Sequence, residues 1–211
     1  MKTMTTEQVT EMIVCACDAI MQAKDYLTEV DSAIGDGDHG VGMSGGMEKA
    51  KEMLQAGAPF ADVNTVFKTT GMAMLNSMGG ASGVIFGSMF LGGVKGLDSI
   101  HELDGKTFTH MMRGALDTIK KRGNAQVGDK TMVDALEPAV LGMEASGQDD
   151  LTEVLRVASE QSNQGVENTK KYVAKYGRAQ YLGERAIGYQ DAGATSVSII
   201  FRAMYEYSTR A

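Results

Sequence analysis

Asp31, Asp36 and Asp38 bring three carboxylates together, the last two inside the run Gly35-Asp36-Gly37-Asp38-His39-Gly40. No Lys or Arg lies close by in sequence to neutralise them. Carboxylates crowded in this way repel one another unless a cation holds them. Hard oxygen ligands at close spacing suit Mg²⁺ or Ca²⁺ better than a soft metal. A Mg²⁺ fixed by a few carboxylates keeps open positions that phosphate oxygens commonly fill. The loop reads as a magnesium–phosphate site.

Two other readings of the same residues fail. Gly35 to Gly40 formally matches the dinucleotide fingerprint GxGxxG. No strand precedes it, however, and two acidic residues inside it would repel bare pyrophosphate. An EF-hand is excluded because Gly40 and Val41 stand where an acid and the turn glycine are needed. An acidic turn with helix-capping Asp residues is the ordinary alternative. Asp31, one to two helical turns upstream, adds the third acid that favours a metal.

Three further segments carry chemistry. Gly79-Gly80-Ala81-Ser82-Gly83 joins two apolar stretches, and its backbone N–H groups at a helix start suit phosphate. No Lys-Ser/Thr pair follows it, so it is not a Walker loop. Gly128-Asp129-Lys130-Thr131-Met132 reads either as a helix start or as a ligand segment whose Met132 thioether lines a flat base. Arg178, Glu184, Arg185 and Asp191 fall in a long charged loop, and Arg is a favoured phosphate donor. The chain has three histidines, too few for a histidine cage, and only His39 abuts the acids.

The elements that must position these segments are helical. At 211 residues with two prolines and no Pro/Ser-rich linker, a single domain over 1–211 is expected. Apolar residues recur at three- and four-residue spacing from Thr5 to Leu27, with Thr5 and Gln8 as a capping box. A short second helix covers Met47 to Leu54, a third Val63 to Met78, and a fourth Ser82 to Val94. Asp104 caps a fifth that ends in Lys120-Lys121-Arg122-Gly123. A sixth follows Asp129 or Thr131 and contains Pro138; a seventh runs from Asp149 or Asp150 towards Gly177; an eighth covers Ala194 to Thr209. No period-two strand stands out, although Val197 to Phe201 alone could pass for one. The expectation is an all-α fold of eight antiparallel amphipathic helices. In an up-and-down order, the loops after the odd helices share one end and carry every motif above.

Composition narrows the function classes. A net charge of −7 argues against a nucleic-acid or anionic-membrane binder. No apolar run approaches membrane-spanning length, and the polar start is unlike a signal peptide. Cys15 and Cys17, two apart on a helix, face different ways and suit neither a mutual disulfide nor a tetrahedral metal. A reducing, cytoplasmic setting follows. Sixteen methionines and no Trp point to a core filled by adaptable side chains.

Taken in order, Asp31 with Gly35–Gly40, Gly79–Gly83, Gly128–Met132, Gly177–Arg185 and Asp191–Ser196 resemble the nucleotide-binding (DhaL) subunits of dihydroxyacetone kinases over nearly the whole chain. The resemblance implies a closed barrel of eight helices with ADP held in loops at one end. It implies that Asp31, Asp36 and Asp38 hold two Mg²⁺ that bridge the nucleotide phosphates. His39, Gly40, Val41, Gly42, Ala81 and Ser82 would contact the nucleotide, Gly123 and Met132 would border the base, and Arg178, Asp191, Ala192 and Gly193 would complete the site. In such subunits ADP is a tightly held cofactor. A phosphohistidine protein (DhaM) of the phosphoenolpyruvate-dependent phosphotransferase system rephosphorylates it in place, and the phosphoryl group passes to dihydroxyacetone on a separate subunit, DhaK. Gly42 and Ala192 depart from the Asn and Pro common in relatives. Alternative readings are a kinase subunit using free, exchanging ATP on a keto-sugar such as erythrulose or on an acyl group, and a non-catalytic nucleotide-binding partner of a transcription regulator.

Overall fold

The computed structural model describes residues 2–210. Strand β1 (Thr3–Thr5) leads into helix α1 (Thr6–Gln22), which starts on the expected capping box. Thr5 Oγ1 accepts from Gln8 N at 3.3 Å, and Gln8 Oε1 accepts from Thr5 N at 3.0 Å. The apolar rhythm continues past Gln22, but the helix axis breaks at Ala23, and α2 (Lys24–Ser32) runs on as a separate helix that buries only Leu27. Neither Gly nor Pro marks the break, so the pattern alone reads as one helix.

Helix α3 (His39–Gly57) is much longer than the short element expected around Met47–Leu54. Its N-terminal half contains four glycines, which read as loop because glycine weakens a helix. Tertiary packing overrides that preference. A Cβ on Gly40 would lie 2.2 Å from Lys24 O, and one on Gly46 would lie 2.5 Å from Met78 Sδ. The missing side chains let α3 lie directly against α2 and against the end of α4 (Val63–Ser77).

Helix α5 (Gly80–Gly93) is followed by strand β2 (Glu102–Asp104) and α6 (Gly105–Gly123). Asp104 caps α6 as expected, accepting from Thr107 N at 2.7 Å. The helix ends at Asn124 in the left-handed region at φ 53°. Helix α7 (Val133–Ser146) contains Pro138, and α8 (Leu151–Thr169) is capped by Asp150, both as expected. α8 stops eight residues short of Gly177, the expected end. A short 3₁₀ segment (Arg178–Ala186) follows, and α9 (Ala192–Ser208) closes the chain. The Val197–Phe201 run lies inside α9, where its apolar residues are buried.

The fold is therefore mostly helical, with nine α-helices and one 3₁₀ segment among the described residues rather than eight helices alone. The two strands correct the all-α expectation. They pair antiparallel, Met4 opposite Leu103, and both side chains are fully buried. Three residues are too few to display a period of two, so neither strand could be read from the sequence.

Helix α1 packs against α3 and α9, and each helix from α3 to α9 packs against the next. The loops entering α1, α4, α6 and α8 are tied together at one end. Val63 N donates to Ile100 O at 2.8 Å, Gly105 N to Asp149 O at 2.9 Å and Leu151 N to Lys2 O at 3.0 Å. The N-termini of α3, α5, α7 and α9 consequently lie at the other end. The core runs between, rich in Met (Met12, Met43, Met47, Met74, Met111 and Met143 among its buried residues), as the composition suggested. Cys17 is buried and Cys15 exposed, both as free thiols. No helix among the described residues is long and apolar enough to cross a membrane.

Candidate functional site

The acid loop is a sharp connection between α2 and α3. Asp31 sits in the last turn of α2, and Asp38 occupies the N-cap of α3. Asp31 Oδ2 accepts from His39 N at 3.3 Å, so the first acid braces the helix that the third one begins. Gly35 is needed for this fold-back: a Cβ there would lie 2.3 Å from Asp31 Oδ1 and push the carboxylate away. One oxygen from each of Asp31, Asp36 and Asp38 can be chosen so that all three lie within 4.8 Å of one another. Burial, and then the Asp36 and Asp31 charges beside it, push the Asp38 carboxyl above the usual carboxylate range. Arg178, from the distant 3₁₀ segment, donates through Nε to Asp36 Oδ2 at 2.9 Å. Three convergent carboxylate oxygens with excess negative charge form a donor set that fits a hard divalent cation.

These acids line one side of a cleft of about 1090 Å³. Four helix N-termini converge on it: Asp38 and His39 begin α3, Gly79 to Ser82 begin α5, Met132 begins α7, and Asp191 to Gly193 begin α9. Each N-terminus carries the positive end of its helix dipole, about half a charge. The α5 terminus has no side-chain cap, and Gly80 turns the chain into it at φ 67°, a conformation that suits glycine. The α9 terminus is capped internally, because Asp191 Oδ2 accepts from Ala194 N at 2.7 Å. The cleft thus opposes an anionic rim with positive helix ends, an arrangement matched to an anion that brings its own cation.

The opposite wall is apolar. Met132, 5 % exposed, faces the cleft together with Ile85 and Phe86 from α5. A Cβ on Gly193 would stand 3.4 Å from Met132 Cβ, so the α7 and α9 entrances meet there. His39 is buried, with Nε2 2.8 Å from Ser196 Oγ and a further bond to the Ala192 backbone. Burial holds its imidazole below the ordinary histidine range, with the Asp31 charge acting the other way. Its ring ties α3 to α9. Asp191 is enclosed on its protein side, and loss of water pushes its carboxyl up to about 7.

Asp31, Asp36, Asp38, His39, Val41, Gly42, Ala81, Ser82, Met132, Arg178, Asp191, Ala192 and Gly193 all line this one cleft. Gly40 and Gly123 do not. Gly40 is buried against α2, and Gly123 stands behind Ile85, whose Cδ1 would lie 3.8 Å from a Cβ there. Sequence reasoning passed over Ile85, Phe86, Lys130 and Tyr176. Ile85 and Phe86 lie three and four residues after Ser82, and that helical spacing puts them on the same face. Lys130 lies within the Gly128–Met132 segment, where nothing local distinguishes it.

The sequence profile of the DAK2 domain matches residues 33–206. The "PEP-dependent dihydroxyacetone kinase 1, ADP-binding subunit DhaL" of Listeria innocua is 40 % identical over 189 residues, 90 % of each chain. The "PEP-dependent dihydroxyacetone kinase, ADP-binding subunit DhaL" of Escherichia coli K12 is 37 % identical over 199 residues, covering 93 % of this chain and 94 % of that one. The fold is also similar to a crystal structure of the dihydroxyacetone kinase from C. freundii in complex with AMP-PNP and Mg²⁺, with a TM-score of 0.74 at 23 % identity. That match covers 98 % of this chain and 35 % of the C. freundii chain. The profile takes in the acid loop from Ala33 onward and the α9 entrance alike, and this chain belongs to the DAK2 domain family.

Proposed function

We propose that this chain is the nucleotide-binding subunit of a dihydroxyacetone kinase, a single domain over 1–211 that works in the cytoplasm with ADP as a held cofactor. The observation that carries the reading is the Asp31–Asp36–Asp38 cluster at the start of α3, facing the N-termini of α5, α7 and α9 across one cleft. The names of the relatives at 37–40 % identity support the same reading. We also read the succession of α1 and α3 to α9 as a closed eight-helix barrel with α2 outside it; the packing of α9 on α1 supports closure.

In this reading Asp31, Asp36 and Asp38 hold two Mg²⁺. Bound there, the metal ions supply charge neutralisation for the diphosphate. The chain does the rest. The start of α3 from His39 to Gly42 contacts the nucleotide, the N–H groups of Ala81 and Ser82 bind phosphate oxygens, and Arg178 leaves Asp36 to pair with phosphate. Met132 packs on the base, with Gly123 supporting that wall through Ile85, while Asp191 to Gly193 close the far side. Phosphoryl transfer needs positioning and charge compensation more than a protein nucleophile, so the scarcity of histidine on this chain is no obstacle. The phosphodonor is a phosphohistidine protein of the DhaM type. The acceptor, dihydroxyacetone, sits on a DhaK-type subunit.

Reconstitution tests the proposal. The purified chain, mixed with a DhaM-type donor charged from phosphoenolpyruvate and a DhaK-type subunit, should form dihydroxyacetone phosphate with no added nucleotide beyond that carried by the chain. Turnover that requires free ATP in every cycle would contradict it.

A further inference from the structure

Lys130 is 2 % exposed, the only Lys or Arg buried to that degree among the described residues. Its backbone lies in the left-handed region at φ 60°, which non-glycine residues adopt at a cost. Removing an ammonium group from water is expensive unless its hydrogen bonds are replaced. Here Nζ donates to Thr169 O at 2.7 Å, at the end of α8, and to Tyr189 O, two residues before Asp191. Thr169 itself accepts, through Oγ1, from Asp191 N at 3.0 Å. On the other flank, Asp134 accepts from Gly128 N at 2.6 Å and from Thr131 N at 2.7 Å, which fixes the turn that presents Lys130. Burial pushes the Lys130 ammonium below the ordinary lysine range, and the Asp191 and Asp134 charges oppose that shift.

Every one of these contacts lies on the side of the cleft built by the entrances to α7 and α9. None reaches the acid loop or the start of α5. We propose that Lys130 is a positioning residue for the base of a bound nucleoside diphosphate: its ammonium clamps the Thr169–Asp191 segment to the α7 entrance and so fixes Met132 against Asp191–Gly193. The inference rests on the nucleotide reading above and deepens it by assigning the two halves of the cleft to different parts of the ligand. Base-side geometry depends on Lys130, whereas phosphate-side geometry does not.

The test strips any carried nucleotide from the full-length chain and then measures binding of two probes by calorimetry, Mg-ADP and Mg-tripolyphosphate, the second lacking a base. Lys130→Met keeps the apolar stem and removes the donors. It should weaken Mg-ADP by roughly tenfold or more, since hydrogen bonds from a charged donor are lost, and leave Mg-tripolyphosphate within about twofold. Lys130→Arg, which retains charge and donors, should recover part of the ADP affinity. Thr169→Val removes only the hydroxyl that receives Asp191 N and should give a smaller loss with the same selectivity; it decides the matter if Lys130→Met does not fold. Unchanged ADP affinity in these variants, or equal loss of both probes, overturns the proposal. A wild-type chain that binds neither probe overturns the nucleotide reading itself. One that binds ADP but not tripolyphosphate overturns the division of the cleft.

Discussion

The Arg178 guanidinium donates to Asp36 across 142 residues of sequence, joining the 3₁₀ segment to the acid loop at 2.9 Å. Both side chains are substantially exposed, at 72 % and 43 %, so the pair contributes at most about 1 kcal/mol and less in salt. A contact that weak gives way readily to a stronger partner for either residue: a cation for Asp36, a phosphate for Arg178. Arg178→Gln is therefore expected to leave the thermal midpoint of the ligand-free protein within a degree or two. The same change should weaken Mg-ADP by roughly tenfold, the usual scale for losing one charge-assisted bond. Differential scanning calorimetry and titration of the same sample separate the two effects.

Asp38 predicts an opposite pairing of effects. Its ionised form is opposed by burial and by the Asp36 and Asp31 charges. Asp38→Asn relieves that repulsion, so the metal-free variant should be at least as stable as the parent towards urea. The gain on adding Mg-ADP, which raises the parent's midpoint by mass action, should disappear. A variant that is both less stable without ligand and still stabilised by Mg-ADP would show that the carboxylate is structural.

Gly40 tests why α3 begins where it does. A Cβ at this position would lie 2.2 Å from Lys24 O and 2.3 Å from Thr28 Oγ1, and backbone cannot yield as a side-chain end can. Gly40→Ala should cost about 1–3 kcal/mol of stability, as overpacking commonly does, despite the better helix propensity of Ala. Urea unfolding measures it. Stabilisation instead would mean that α2 and α3 are not so closely packed.

Asp191 supplies a pH dependence. Its carboxyl is raised from 3.8 to about 7 by loss of water, so the fold favours the neutral form. That contribution is complete below about pH 4, where both states are protonated. Between there and about 7 the unfolded chain releases its proton first, the native state binds more protons, and stability declines as pH rises. Asp191→Asn keeps an acceptor for Ala194 N but cannot ionise. The stability of Asp191→Asn relative to the parent should therefore increase steadily from pH 4 to pH 7 in ligand-free protein. A constant difference across that range would contradict the assigned shift.

Helical periodicity made most of the fold legible, because Val9, Met12, Ile13, Ala16 and Ile20 on α1, or Phe108, Met111, Met112 and Ala115 on α6, mark one buried face each. Caps fixed several boundaries, notably Thr5, Asp104 and Asp150. What stayed hidden depends on partners remote in sequence. The glycines of α3 look like a loop until Lys24 and Met78 are seen to occupy the space beside them. β1 and β2 exist because Met4 and Leu103 share the core, a relation no local pattern records. The acid loop was legible because its chemistry is local. Lys130 was not, since its meaning lies in Thr169 and Tyr189 carbonyls found far along the chain.

The central claim is that the three aspartates carry divalent metal between the protein and a diphosphate. Crystals grown with Mn²⁺ and ADP test it directly through anomalous scattering at the manganese edge. The account predicts two peaks among Asp31, Asp36 and Asp38, each also in contact with a phosphate oxygen, with Arg178 turned away from Asp36. Nucleotide bound in the cleft without manganese at these carboxylates, and with the Arg178–Asp36 pair intact, would contradict it.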